Sequence, residues 1–463
     1  MRKILSALML PLWMSGCGIY TSYKQPEMDT EGLFRDTVAV TDTATLGNVE
    51  WRELFTDPCL QNLIEAALHK NTDLQSARLR VREAEAALLT ARLSFLPSLA
   101  FSPQGTLSSF DGAKTTKTYQ IPVAASWEID VFGKLRNAKE QAKAAFEQSQ
   151  VYRQAVQTQL IASVANVYYT LLMLDRQLEI STQTAAYWKE NVTTMKAMKR
   201  AGMTTEDAVA QSEANYYSVE ASVLTLKRQI HETENSLSLL LAETPRAIER
   251  ATLEDWKHPA DLTAGIPLQL LSNRPDVRSA ELSLAQAFYT TNAARSAFYP
   301  SLVLSGSAGW TNSAGAYIVD PGKILLSAVA SLTQPLFARG ANIAQLKIAK
   351  AQQEEAMLSF QQSLLNAGSE VNNALVQCQT ARGKIELDEK QIASLESAVR
   401  STQLRMKHGN TTYLEVLTAQ ETLLQSQLNR VADQFDEIQG VINLYQALGG
   451  GRNYEPINNE THE

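Results

Sequence analysis

A chain of 463 residues with 44% hydrophobic and 20% charged residues has enough apolar surface to fold around a core, and its composition is unlike that of disordered chains. A formal net charge of −7 without any long Lys/Arg run excludes a nucleic-acid surface, which needs clustered cations to neutralise phosphate. Length alone suggests roughly three domains at ~150 residues each, so the internal organisation has to decide.

Arg2 and Lys3 precede an apolar segment, Ile4 to Met14, which is followed by Ser15, Gly16 and Cys17. A charged start, a short apolar stretch and small residues make an export signal over residues 1–16. The apolar stretch falls short of the ~20 residues that a membrane-spanning helix needs. Cys17 after small residues resembles the bacterial lipobox, with Met14 where Leu is usual, so Cys17 is the expected lipid-attachment site; a plain signal peptide is the alternative. Gly18 rather than Asp follows the cysteine, which makes the outer membrane the implied address. Cys59 and Cys378 remain, in a compartment that permits disulfides. Whether they pair stays open, although Cys378 lies on an apolar helical stripe where a thiol packs as a small hydrophobe.

Beyond this point the chain is written twice. At offsets of 203 to 207 residues Asp73, Ala77 and Ala91 meet Asp276, Ala280 and Ala294, and Phe95, Pro97, Ser98 and Leu99 meet Phe298, Pro300, Ser301 and Leu302. Phe132 meets Phe337, and "AGMTT" (201–205) meets "HGNTT" (408–412). This is a tandem duplication with repeats at 58–259 and 260–449 and a tail at 450–463.

Each repeat opens with a helix, 72–96 or 275–299, rich in Ala, Leu, Glu and Arg. Pro97 and Pro300 close these helices and mark helix-to-strand junctions, because the residue before proline is pushed out of the helical region. Strands are expected at 98–109, 119–131, 301–311 and 323–335, four per chain. Over 119–131, Tyr119, Ile121, Val123, Ala125, Trp127 and Ile129 share one face, and Gln120, Pro122, Ala124, Ser126, Glu128 and Asp130 the other. That alternation is long enough for a tilted strand to cross a bilayer. Trp127 and Trp310 are candidate membrane-interface aromatics, with simple packing as the competing reading. Long helices follow at 133–201 and 205–241, and again at 338–408 and 412–447. Their apolar residues fall at 4,3 spacing, as in Leu160, Val164, Val167, Leu171 and Leu174, the pattern of a coiled coil. Nearly 70 helical residues would extend about 100 Å.

Four spanning strands cannot close a barrel, and open sheet edges are not tolerated in hydrocarbon, so closure requires several chains. Three copies supply 12 strands, an allowed even number. The expected fold class is therefore an α+β membrane protein: a trimeric 12-stranded β-barrel, four strands per chain, continuous with a long α-helical coiled-coil barrel in the periplasm.

The chain resembles the TolC-like outer membrane factors, most closely the lipoprotein subfamily of resistance-nodulation-division (RND) efflux systems. The likeness rests on "W-R-E-L-F-x-D-P-x-L-x-x-L-I-x-x-A-L" (Trp51 to Leu68), "N-R-P-D-V-R-S-A-E" (Asn273 to Glu281), "A-A-R-S-A-F-Y-P-S-L" (Ala293 to Leu302), "Y-L-E-V-L-x-A-Q" (Tyr413 to Gln420) and "L-Y-x-A-L-G-G-G" (Leu444 to Gly451). It implies a homotrimer, an equatorial region that includes the lipidated segment 17–57, docking of the helical tip to a periplasmic adaptor, and energy from an inner-membrane RND transporter. The implied function is a passive outer membrane channel of a tripartite efflux pump, opened by adaptor contact. Two alternatives stay open: a duct for type I protein secretion, and a non-conducting coiled-coil lipoprotein scaffold.

At the tip, Gly202 and Gly409 interrupt the helical hairpins, Thr204 or Thr205 and Thr411 or Thr412 are candidate N-caps, and the resemblance makes these six residues the adaptor-docking tips. Where the family often has D-V-L-D-A, this chain reads Glu415, Val416, Leu417, Thr418, Ala419. Glu415 and Thr418 are thus the candidate periplasmic aperture, with one carboxylate per chain kept; a solvated carboxylate favoured by the helix dipole is the plainer reading. Arg405 and Lys407 are candidate partners in gate-closing ion pairs. The five histidines are scattered and no catalytic, metal or phosphate-binding motif is present, so no enzyme and no cofactor other than a covalent lipid on Cys17 is expected. The expected partners are sister subunits, adaptor, transporter and outer membrane lipid, with no nucleic acid.

Overall fold

The computed structural model describes residues 20–26, 49–109, 111–112, 114–256, 274–311, 324–408 and 413–451. The expected signal peptide, Cys17, Gly409, Thr411, Thr412 and the tail beyond residue 451 lie outside them. In chain order the elements are α1 (Trp51–Leu54), α2 (Pro58–Lys70), α3 (Thr72–Leu93), β1 (Ser98–Phe101), β2 (Gln104–Ser108), β3 (Thr116–Ile129), α4 (Lys134–Arg200), α5 (Glu206–Leu240), α6 (Pro275–Ser296), β4 (Ser301–Thr311), β5 (Ile324–Thr333), α7 (Ala341–Lys407) and α8 (Tyr413–Ala447). The duplication is visible in the lengths: α3 and α6 have 22 residues each, α4 and α7 have 67, and α5 and α8 have 35.

The chain divides into two compact units. The first comprises Met1–Asp29, Leu79–Val151 and Arg278–Ser363, and holds all five strands in one antiparallel sheet, with β1 and β2 both on one edge of β3 and β4 and β5 following on the other. Among the described residues the four expected strands are thereby corrected to five, in four lanes. Pro103 offers no N–H to the ladder, so the run expected at 98–109 breaks there into β1 and β2, which still share one lane beside β3. The other strands are shifted by a few residues. β3 begins at Thr116 and stops at Ile129, before the turn in which Gly133 takes φ +73°, and β5 stops at Thr333, two residues before Pro335. The opening helices also end earlier than expected, at Leu93 and Ser296. Beyond them the chain tightens, with Leu96 N–H bonded to Leu93 O (2.9 Å) and Tyr299 N–H to Ser296 O (3.0 Å), and then reaches Pro97 and Pro300.

The second unit comprises Thr30–Arg78, Tyr152–Val277 and Leu364–Glu463. Its core packs Phe55, just beyond α1, and Leu60 and Ile64 of α2 with Ile161, Tyr168 and Leu171 of α4, Leu237 of α5, and Ile438, Ile442 and Tyr445 of α8. The 4,3 seam of α4 is the buried one: Leu160, Val164, Leu171, Leu174, Ala185, Trp188 and Met195 are all inside. Cys59 and Cys378 are unpaired, and burial pushes the Cys378 thiol up to about 11. Cys378 packs where Gly440 lets two helices approach; a Cβ there would lie 2.7 Å from its Sγ.

Candidate functional site

The strand register sorts the sheet of the first unit into two faces. Opposed pairs on one face read Leu302–Leu332, Leu304–Ala330, Gly306–Ala328, Ala308–Leu326 and Trp310–Ile324 between β4 and β5. The same face continues into β3 as Ile129, Trp127, Ala125, Val123 and Ile121, and into β1 as Leu99 and Phe101. The opposite face carries Ser301, Ser305 and Ser307 against Thr333, Val329 and Ser327, and Ser126, Ala124 and Gln120 on β3. Glu128 is the only ionisable side chain on that face among the described strand residues, and Lys134 at the start of α4 bonds it at 2.8 Å. Water would not tolerate the apolar face: Leu99, Leu326 and Leu332 are 73%, 75% and 69% exposed in the single chain. Among the described residues, both sheet edges also lack a strand partner within the chain.

Trp127 and Trp310 lie on the apolar face towards opposite ends of the sheet. Trp127 pairs with Leu304 and Trp310 with Ile121, so six residues, about 20 Å at 3.4 Å each, separate them along the strands. The Trp127 indole donates to Phe95 O at 2.9 Å, tying the sheet to the Pro97 junction. At the Pro300 junction Gln334 donates to Phe298 O at 2.9 Å and Asn342 to Ala297 O at 3.1 Å. Asp130 caps α4, accepting from the Leu135 and Arg136 amides at 3.0 and 2.7 Å.

In the second unit the tip is built by helix-end chemistry. Gly202 takes φ +73°, its N–H bonds Lys199 O and the Met203 N–H bonds Met198 O, each at 2.9 Å. This is the left-handed helix ending that glycine permits without strain. Thr205, not Thr204, caps α5, accepting from the Ala208 amide at 3.4 Å. Lys199 pairs with Glu206, and Lys196 with Glu213 at 2.6 Å. Glu415 lies in the first turn of α8, and both it and Thr418 are exposed beside the buried Val416 and Leu417. Arg405 and Lys407 fall in the last turn of α7, Arg405 exposed.

Three polar ties were missed in the sequence. The Tyr187 hydroxyl of α4 accepts from Gln403 of α7 (2.7 Å) and from the buried Gln420 of α8, beside a cavity of about 550 Å³. Buried Arg274 binds Asp276 at 2.7 Å, Glu370 at 2.6 Å and the Ala447 carbonyl at 2.8 Å. Burial would raise the Asp276 pKa, but the hydrogen bonds and charge of Arg274 outweigh it and hold the carboxyl below its ordinary value. Tyr168 donates to Asp57 and accepts from the Ala251 amide (3.0 Å); burial raises its phenol. Among the described residues no helix is long and apolar enough to cross a membrane, and no three His, Cys, Asp or Glu converge on a metal-sized site.

The family described as "Outer membrane efflux protein" matches this chain twice, over residues 63–243 and 266–450. The chain is 27% identical over 445 residues to the cation efflux system protein CusC of Escherichia coli (strain K12), covering 95% of this chain and 97% of that protein. It is 28% identical over 453 residues to the solvent efflux pump outer membrane protein SrpC of Pseudomonas putida, covering 95% and 96%. The open state of the Neisseria gonorrhoeae MtrE outer membrane channel superposes with a TM-score of 0.85 at 28% identity, covering 94% of this chain and 99% of that one. Two matches to one family, one for each repeat, account for most of the sequence: the chain belongs to the outer membrane efflux protein family, and is an efflux channel of the Gram-negative outer membrane.

Proposed function

We propose that three copies of this chain close their four sheet lanes each into a 12-lane barrel, and that the assembly is the passive outlet of a tripartite efflux pump. The observation that carries this reading is the sheet itself: an apolar face opposed to a serine-rich one, with two unpaired edges that hydrocarbon would not tolerate. The long helices supply the periplasmic part of the path, and a lipid on Cys17 anchors the chain to the membrane. A periplasmic adaptor docks at the hairpin tips around Gly202 and Gly409 and opens an aperture at Glu415 and Thr418, with Arg405 and Lys407 among the pairs that hold it closed. An inner-membrane RND transporter supplies the energy. Relatives are named for cations, solvents and pyoverdine, a spread that fits a duct whose selectivity comes from its transporter. Deleting the gene tests this against protein secretion. Efflux predicts sensitisation to drugs, detergents or metals with an unchanged set of secreted proteins, restored by complementation; loss of secreted proteins without sensitisation would contradict it.

A further inference from the structure

In the first unit the described N-terminal residues 20–26 lie against α6, where Tyr23 meets Phe288 edge-on at 5.7 Å and packs on Leu282 and Ala285. Beside this contact the segment, α6 and α7 line a cavity of about 570 Å³, whose wall carries Lys24, Arg295 and Lys350 around apolar Leu284, Phe288 and Met357. All three cations are exposed, and Glu354 is the one acidic residue on the wall. Among the described residues none of the three is ion-paired. Arg295 donates to Asn292 Oδ1 of its own helix at 3.3 Å, whereas Lys134, Lys139, Lys143 and Arg278 of the same unit each reach a glutamate. Three cations against one acid leave a local excess of two in a chain of net charge −7.

The duplication isolates this feature. Arg295 matches Arg92 at an offset of 203, but at the offset of 205 that carries Phe132 onto Phe337, Lys350 matches Ala145. The N-terminal segment belongs to neither repeat. The cavity wall is therefore an addition to the second repeat rather than part of the duplicated frame.

We propose that this cavity holds the headgroup of an anionic phospholipid, its phosphate neutralised by Lys24, Arg295 and Lys350. The inference rests on the outer membrane channel reading and adds a lipid that the protein selects by charge. The level fits: Arg295 lies in the last turn of α6, about 8 Å along the chain from Pro300, beyond which the sheet begins at Ser301. A headgroup layer adds roughly 5–8 Å to each side of the hydrocarbon. Thr291 Oγ1 donates to Ala349 O at 3.1 Å, which sets Lys350 about one turn deeper than Arg295, and the long lysine stem lets its ammonium rise to the same phosphate. The apolar residues between the cations keep the local dielectric low and strengthen each attraction. A zwitterionic headgroup brings its own ammonium into this excess of positive charge and is disfavoured.

Native mass spectrometry of the full-length protein, released from neutral detergent after titration with phosphatidylglycerol, phosphatidylcholine or inorganic phosphate, tests the site. Wild type should retain phosphatidylglycerol at lower concentration than phosphatidylcholine. Lys24→Ala with Lys350→Ala should weaken phosphatidylglycerol roughly 5-fold per cation, about 25-fold for the pair, and leave phosphatidylcholine unchanged. Lys24→Arg with Lys350→Arg should keep wild-type retention, which separates charge from packing. Arg92→Ala, five residues before Pro97 as Arg295 is before Pro300, should have no effect, because it lies outside the cavity. Unchanged phosphatidylglycerol retention in the double alanine variant, or an equal loss in Arg92→Ala, overturns the proposal. Inorganic phosphate that displaces phosphatidylglycerol at equal concentration assigns the cavity to a free anion and overturns the lipid. Planar-bilayer recording of the same wild-type sample separates the two readings: failed lipid selection in a conducting protein overturns the site alone, whereas a wild type that does not conduct overturns the channel reading.

Discussion

Ala124 and Ala125 are adjacent alanines on β3 whose side chains leave opposite faces of the sheet, Ala124 opposed to Ser307 and Ala125 to Gly306. Both are partly covered, so substituting either with arginine changes residue type, neighbours in sequence and backbone position almost identically. Only the face differs. Ala125 lies between the levels of Trp127 and Trp310 on the apolar face, which the proposed barrel puts near mid-membrane; an arginine on the lipid side of a barrel costs about 2–4 kcal/mol there. At 1.4 kcal/mol per tenfold that is roughly 30- to 700-fold in the folding equilibrium. Ala124→Arg places the same cation on the serine-rich face, where water solvates it, and should cost under ~1 kcal/mol while narrowing the path. Urea-dependent folding into phosphatidylcholine vesicles, followed by tryptophan emission, measures both. Equal destabilisation by the two variants, or a larger effect at Ala124, would refute the assignment of the faces.

Gly202→Ala should fray the tip, since a side chain at φ +73° costs about 1–2 kcal/mol, and amide exchange at Gly202 and Met203 should quicken roughly 5- to 30-fold; unchanged exchange would contradict this. Tyr187→Phe removes the acceptor shared by Gln403 and Gln420, each bond contributing about 0.5–1.5 kcal/mol, so the open fraction in single-channel records should rise, and an unaltered open fraction would dismiss the tie as a gate restraint. Asp388 on α7 is raised above 3.8, by burial first and then by its hydrogen bond to and the charge of Asp433 on α8, with Lys384 and Arg430 opposing. A raised carboxyl favours the folded form while protonated, so that contribution is complete below 3.8 and disappears as pH rises through the elevated value. Protection of residues 384–392 and 429–437 from exchange, corrected for intrinsic rates, should therefore fall in the wild type as pH rises from below 3.8 to neutrality. In Asp388→Asn it should fall less; an identical fall would place the pH dependence elsewhere.

Periodicity carried most of the fold. The seam at Leu160, Val164 and Leu171 is legible because a buried helical stripe needs only local spacing, and the duplication because both copies kept their prolines and glycines at matching places. Pro103 offered a readable warning that the 98–109 run would break, since a missing N–H interrupts any ladder. The two-faced character of β4 and β5 was less legible, because Val303, Leu325 and Val329 blur the alternation and only the register shows that the other face is apolar throughout. What stayed hidden were ties between distant segments. Arg274 and Ala447 O are 173 residues apart, and Tyr187 and Gln420 are 233 apart, so no local pattern announces them. Cys378 was legible as a packed thiol, but the Gly440 notch that receives it was not.

The account depends on a sheet that meets lipid on one side and completes its edges only with sister chains. Detergent-purified protein, sized by light scattering and then added to a planar bilayer, tests this directly. Three chains per particle and discrete conductance steps are the predicted result; a particle that remains monomeric and stable in water without detergent, and produces no steps, would contradict it.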